Sequence, residues 1–127
     1  MSSADPVTTA LLFKALDAAV LRHQAIAANI ANANSVDYRP LRVNFEEQLG
    51  FARQALTGGA NELTAADVSS IRPFLEQEAA PKAGKAAVMI DLEMVKLAQN
   101  TLHYQMLLKG LGQHISLVSI AINEGRR

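Results

Sequence analysis

No cysteine occurs among the 127 residues, which excludes disulfides, thiolate nucleophiles and cysteine-ligated zinc or iron–sulfur centres. Packing and hydrogen bonds must hold the fold. An excess of charge of one sign is also lacking: 12 Lys and Arg balance 12 Asp and Glu, so no basic field exists to gather a nucleic acid. No unbroken apolar run reaches the roughly 20 residues of a spanning helix. The most apolar late stretch, residues 107–122, is interrupted by Lys109, Gln113 and His114. The start lacks the layout of a cleaved secretory signal, because Asp5 precedes the apolar stretch and Lys14, Asp17 and Arg22 break it, so no Sec-type export is expected. The length suits a single domain over residues 1–127.

What is present is helical periodicity. Asp5 followed by Pro6 is a good helix opening, since Asp accepts orphan N–H groups and Pro loses nothing at the first helical position. Leu12, Leu16, Ala19, His23, Ile26, Ile30 and Ala33 recur at steps of four and three and form one stripe, predicting a helix over 6–33. Asn34, Ser35, Asp37 and Pro40 favour turns, predicting a loop over 34–43. Asn44 with Glu47 resembles a capping box ahead of Phe45, Leu49, Ala52 and Leu56, predicting a short helix over 44–56 that Gly50 weakens.

Residues 57–90 are rich in Ala, Gly, Ser, Thr and Pro and hold few large apolar side chains, so they read as a largely irregular, mobile connector with a short extended piece near 71–75. The strongest pattern follows. Asp91 suits an N-cap and Glu93 suits the positive end of the helix dipole. Met94, Leu97, Thr101, Tyr104, Leu108, Leu111, Ile115, Val118 and Ile122 then alternate steps of three and four, predicting a seam along a helix over 91–123. The expected fold class is all-α: two long terminal helices in an antiparallel coiled-coil-like hairpin, with a short helix and an irregular middle.

A helical hairpin alone in water should be charged off its seam, yet residues 7–38 carry only Lys14, Asp17, Arg22 and Asp37, and residues 110–123 carry no Asp, Glu, Lys or Arg. Leu117 and Ile120 lie off the seam. Both helices thus present a second apolar face that the connector is too poor in large side chains to cover, which favours association with partner helices. An ordinary helical bundle, in which the middle folds back over these faces, is the competing expectation.

Two stretches carry a resemblance. Ala28-Asn29-Ile30-Ala31-Asn32-Ala33-Asn34-Ser35-Val36-Asp37-Tyr38-Arg39 resembles the A-N-I-A-N-A-x-T-P-G-Y-K motif that closes the N-terminal helix of flagellar rod and hook proteins. Ile90-Asp91-Leu92-Glu93-Met94-Val95-Lys96-Leu97-Ala98-Gln99-Asn100-Thr101-Leu102-His103-Tyr104-Gln105 resembles that family's D-x-E-M-x-K-L-A-E-N-x-x-x-Y-Q signature. Val43-Asn44-Phe45 sits where rod proteins of this family carry an acidic or polar residue before Phe. The T-P-G of the family is replaced by Ser35-Val36-Asp37, so Asp37 would have to tolerate any left-handed conformation of that glycine. The acidic residue often found two before the helix start is Met89 here.

The resemblance implies a bacterial flagellar basal-body rod subunit, a structural protein of the proximal rod and drive shaft for motility. It would be exported by the flagellar type III apparatus without a cleaved signal and assembled in the periplasmic space. Implied partners are further copies of the chain, the rod proteins FlgC, FlgF and FlgG, the protein FliE and the export gate. No enzyme activity, cofactor, metal, nucleic acid, small-molecule substrate or direct membrane insertion is expected.

The expected subunit-interface residues fall on the two helices and the loop after the first. On the first helix they are Leu12, Leu16, Ile26, Asn29, Ile30 and Asn32, followed by Tyr38 in the loop. On the last helix they are the seam residues Met94, Leu97, Tyr104, Leu108, Leu111, Ile115, Val118 and Ile122, with Asn100 and Gln105 beside them. Asn29 and Asn32, close to a helix end, also suit C-terminal capping. His23 is expected to be packed; exposed, it would suit a different class, a helical adaptor or phosphotransfer module. His103 and His114 are too far apart along one helix to share a metal.

Overall fold

The computed structural model describes residues 6–55, 62–80 and 88–125. Its elements in order are α1 (Pro6–Ala31), β1 (Leu41–Asn44), α2 (Glu46–Gln54), α3 (Ala65–Ser69), β2 (Phe74–Gln77) and α4 (Ile90–Gly125). The chain is mostly helical, with long helices at both ends, but it is not all-α. A two-stranded antiparallel sheet joins Leu41 to Gln77 and Asn44 to Phe74.

α1 opens at Pro6 as expected, while Asp5 lies outside the described residues. It is rich in Ala and Leu, the residues that lose least side-chain freedom in a helix. It ends where Asn32 donates both its backbone N–H and its Nδ2 to the Ala28 carbonyl, at 3.0 and 2.8 Å. The turns that follow place Asp37 at φ +60°, in the left-handed region, which Asp tolerates better than most residues.

α1 and α4 lie side by side, and their contacts run in opposite order along the chain. Asn29 reaches Glu93, Asn100 donates to the Ala19 carbonyl, and Thr9 Oγ1 lies 2.7 Å from His114 Nε2. With 26 residues α1 is about 39 Å long, and with 36 residues α4 is about 54 Å, so the C-terminal part of α4 runs past the start of α1. Among the described residues no helix is long and apolar enough to cross a membrane.

The connector expected over 57–90 is corrected over 62–80. There α3 and β2 fold back onto α1, and the side chain of Val68 is fully buried. Thr64 starts α3 through a reciprocal capping box with Asp67. The backbone N–H and then the hydroxyl of Thr64 hold the Asp67 carboxyl below its ordinary range. The extended piece falls at 74–77, slightly later than expected. Residues 56–61 and 81–87 lie outside the description.

Three further boundaries differ. The loop over 34–43 contains most of β1, because Leu41 and Val43 turn toward the protein while Arg42 turns out to meet Glu76 at 2.8 Å. Asn44 belongs to that strand. α2 therefore starts at Glu46 with Phe45 at its N-cap and no side-chain cap, although Asn44 Nδ2 still reaches Glu47 at 3.4 Å. α4 begins at Ile90, one residue early, so Asp91 lies in its first turn instead of capping it.

The core sits between α1, the sheet and the middle helices. Ala18, Val43, Phe45 and Ile71 form its buried centre, with Ala15, Leu21, Leu49 and Ala52 packed around them. Ala18, Ala19 and Ala25 are buried where other elements pack on α1, and their small side chains take little room there. Truncating Val68→Ala removes two methyl groups from a site with no solvent contact and should cost roughly 2 kcal/mol in urea unfolding. An effect within a few tenths would return residues 62–80 to the status of a loose connector.

Candidate functional site: the faces of the helix pair

Asn29 joins three elements. It is 3 % exposed, and its Oδ1 accepts the Leu41 N–H and the Tyr38 hydroxyl, both at 2.8 Å. Its Nδ2 donates to the Leu41 carbonyl at 3.0 Å and lies 3.5 Å from Glu93 Oε2. The carboxamide thus meets Leu41 as a neighbouring strand would. The other Glu93 oxygen accepts from Lys96 at 3.1 Å, one turn along α4, which compensates a carboxylate only 6 % exposed. Burial, and then the nearby Glu93 carboxylate, push the Tyr38 hydroxyl above its ordinary pKa.

Beside this group a cleft of about 380 Å³ lies between α1, β1 and α4. Its cations are matched: Arg22 with Glu46 at 3.0 Å, Arg42 with Glu76 at 2.8 Å, and Lys96 with Glu93. Such a lining holds the elements together and offers little attraction to an anion.

The face that α4 turns to α1 corrects the expected seam. Glu93, Asn100 and His114 are buried there, with Leu97, Tyr104, Leu107, Leu111 and Val118 half-buried between them. Leu97, Tyr104, Leu111 and Val118 of the expected seam are on this face, but Met94, Thr101, Leu108, Ile115 and Ile122 are exposed beside it. The inner face lies one position back at every other step. A second set of large apolar side chains, Leu92, Val95, Leu102, Met106, Leu117 and Ile120, is 49–64 % exposed on the far side. α4 thus carries large exposed apolar side chains on stripes beside and opposite the one that α1 covers.

On α1 the expectation of a second uncovered apolar face is corrected as well. The sheet and α3 cover it, leaving Phe13 and Val20 as its exposed large apolar residues. Leu16, Ile26, Asn29 and Asn100, expected at a subunit interface, are already buried within the chain, while Leu12, Ile30, Asn32 and Tyr38 are half-buried. Gln105 is exposed. Asn32 caps α1 as the capping reading has it, whereas Asn29 does not cap. His23, expected to be packed, is exposed, because α1 turns Ala19 and Ile26 to α4 and leaves His23 at the edge.

The polar group around Asn29 was not anticipated as a unit. Asn29, Tyr38 and Glu93 each stand in a recognisable motif, but their meeting depends on the turn at Asp37 and the pairing of α1 with α4. No protein-family model and no curated protein matches the chain.

Asn29→Ala leaves the Leu41 N–H and carbonyl without their partner and should lower unfolding stability by roughly 3 kcal/mol; a loss below 1 kcal/mol would show that water replaces the amide. Tyr38 supplies a pH dependence. Its folded-state pKa is raised, so its contribution is complete below the unfolded value near 10 and is lost as pH rises through the higher folded value. Tyr38→Phe should flatten the alkaline limb of a stability-against-pH curve.

Proposed function

We propose that the chain is a structural subunit of the bacterial flagellar proximal rod, of the FlgB type, that polymerises through its terminal helices. The observation that carries this is the circumference of α4. Large apolar side chains stand exposed on stripes beside and opposite the one that meets α1, and a helix with so much apolar surface outside its packed face is stable when those stripes are covered too. The two motifs at the end of α1 and the start of α4, and the left-handed Asp37 where the family has glycine, support the same reading. On this reading α1 and α4 form an antiparallel coiled-coil-like hairpin, and the lobe of α2, α3 and the sheet braces it. No chemical step is required of any residue.

The proposed partners are other copies of the chain, the rod proteins FlgC, FlgF and FlgG, FliE and the type III export gate, which would deliver it to the periplasmic rod without a cleaved signal. Electron microscopy of a deletion strain should show neither rods nor filaments. The intact gene should restore them, and a gene carrying Leu102→Asp with Met106→Asp should not, although these exposed substitutions leave the monomer's helicity unchanged by circular dichroism. Normal flagella in the deletion strain, without a second copy of the gene, would sink the rod assignment.

One observation favours a second reading. The exposed His23 is accessible to a phosphoryl donor, as an adaptor or phosphotransfer module would need. The two are separated by exposing the chain to a phosphoryl donor such as acetyl phosphate: a phosphotransfer module takes up acid-labile label on His23, and a rod subunit takes up none.

A further inference from the structure

Resting on the rod-subunit reading, the geometry assigns the contact between successive copies: we infer that the outer ridge of α4 of one copy seats in the groove between α1 and α4 of the next. The groove lies on the flank of the helix pair away from the sheet. Val20, His23 and Gln24 form one wall, Thr101 and Tyr104 the other, and its volume is about 360 Å³. Along α1 that wall continues through Phe13, Ala27 and Ala31 at steps of three, four and seven. Along α4 it continues through Met94, Leu108 and Ile115. All six of these are exposed.

Gly112 falls on the α4 wall, between Leu108 and Ile115. A Cβ added there would meet nothing within 4 Å. A glycine in the middle of a long helix costs about 1 kcal/mol against alanine, and no neighbour within the chain explains it. Close approach by a helix from outside does.

The occupant is fixed by shape and charge. The groove is concave and needs a convex helical edge, and the second copy offers one in the ridge of Val95, Leu102, Met106, Leu117 and Ile120. Each of these is half-exposed or more. The groove wall carries one acidic residue, the exposed Asp17, and the ridge carries one basic residue in its middle, the exposed Lys109. Neither has an ion-pair partner among the described residues.

The rival contacts fail on the same grounds. Two ridges meeting about a two-fold axis near Lys109 would bring like charges together, and two grooves would leave their floors unfilled. A two-fold contact also closes after two copies. Ridge in groove is heterologous: each copy keeps a free ridge at one end and a free groove at the other, so the series stays open.

The test mixes two variants of the full chain. Val20→Arg with Thr101→Arg blocks the groove, and Leu102→Arg with Met106→Arg blocks the ridge. Each variant should keep the wild-type circular dichroism spectrum and sediment as a monomer at concentrations where the wild type forms a series of larger species. Mixed in equal amounts they should give a dimer and nothing larger, since one intact groove meets one intact ridge. Monomers from the mixture, with the wild type associating, would overturn the ridge-in-groove contact while leaving the rod assignment standing. Species beyond the dimer would overturn it as well. A wild type that stays monomeric at millimolar concentration would remove both. Asp17→Lys and Lys109→Asp should each weaken wild-type association at least fivefold, and the double exchange should restore it; no recovery counts against the pairing.

Discussion

The two long helices and the small lobe are held in one arrangement by the side-chain amide of Asn29. A carboxamide has two donors and an acceptor oxygen with two lone pairs. Here the oxygen takes the Leu41 N–H and the Tyr38 hydroxyl, while the nitrogen serves the Leu41 carbonyl and faces Glu93. Leu41 opens the first strand, so satisfying both its backbone groups sets where β1 leaves α1. Register passes from there to β2 through four residue pairs and on to α3, whose Val68 closes the core. Glu93 ties the same point to the first turn of α4. A buried polar group costs stability unless every partner is present, and the same requirement leaves few alternative packings.

The inner face of α4 has a related logic. Glu93, Asn100 and His114 follow one another at intervals of seven and fourteen residues, and each meets a specific group on α1: the Asn29 amide, the Ala19 carbonyl and the Thr9 hydroxyl. A purely apolar stripe would allow α4 to slide by a heptad, because one set of Leu and Ile fits another. Three polar contacts at fixed heights do not. The chain gives up some hydrophobic burial along this seam in return for one register, as a polar core position does in a coiled coil.

The same trade explains what was legible in the sequence and what was not. The long helices could be read from their periodicity, and their ends from Pro6, the Asn32 region and Asp91. The stripe Met94, Thr101, Leu108, Ile115 is more apolar than Glu93, Asn100, Leu107, His114, so periodicity alone selects it for the inner face. It lacks the hydrogen-bonding groups that match α1. β1 and β2 are four residues each, and strands so short leave no measurable alternation. α3 could have been found from Thr64 and Asp67, a capping box inside an Ala-rich stretch. The position of His23 turns on a small rotation of α1 that carries Ala19 and Ile26 inward, and no spacing rule resolves a rotation of that size.

Polar residues on the internal seam, with the more apolar stripe left outside, are the arrangement that the proposed rod reading calls for, in which a second packing event covers that stripe. Were α4 merely the long arm of a monomer, the cheaper arrangement would turn Met94, Leu108 and Ile115 inward and place Glu93, Asn100 and His114 in water. Burial of apolar area is non-directional, so it suits contacts that many copies must make in the same way. Hydrogen bonds at fixed heights suit the contact that each copy must make once, within itself. On the proposed rod reading, polar groups set the register of the helix pair and association falls to the apolar stripes, while the small lobe covers the face of α1 that would otherwise offer another partner site.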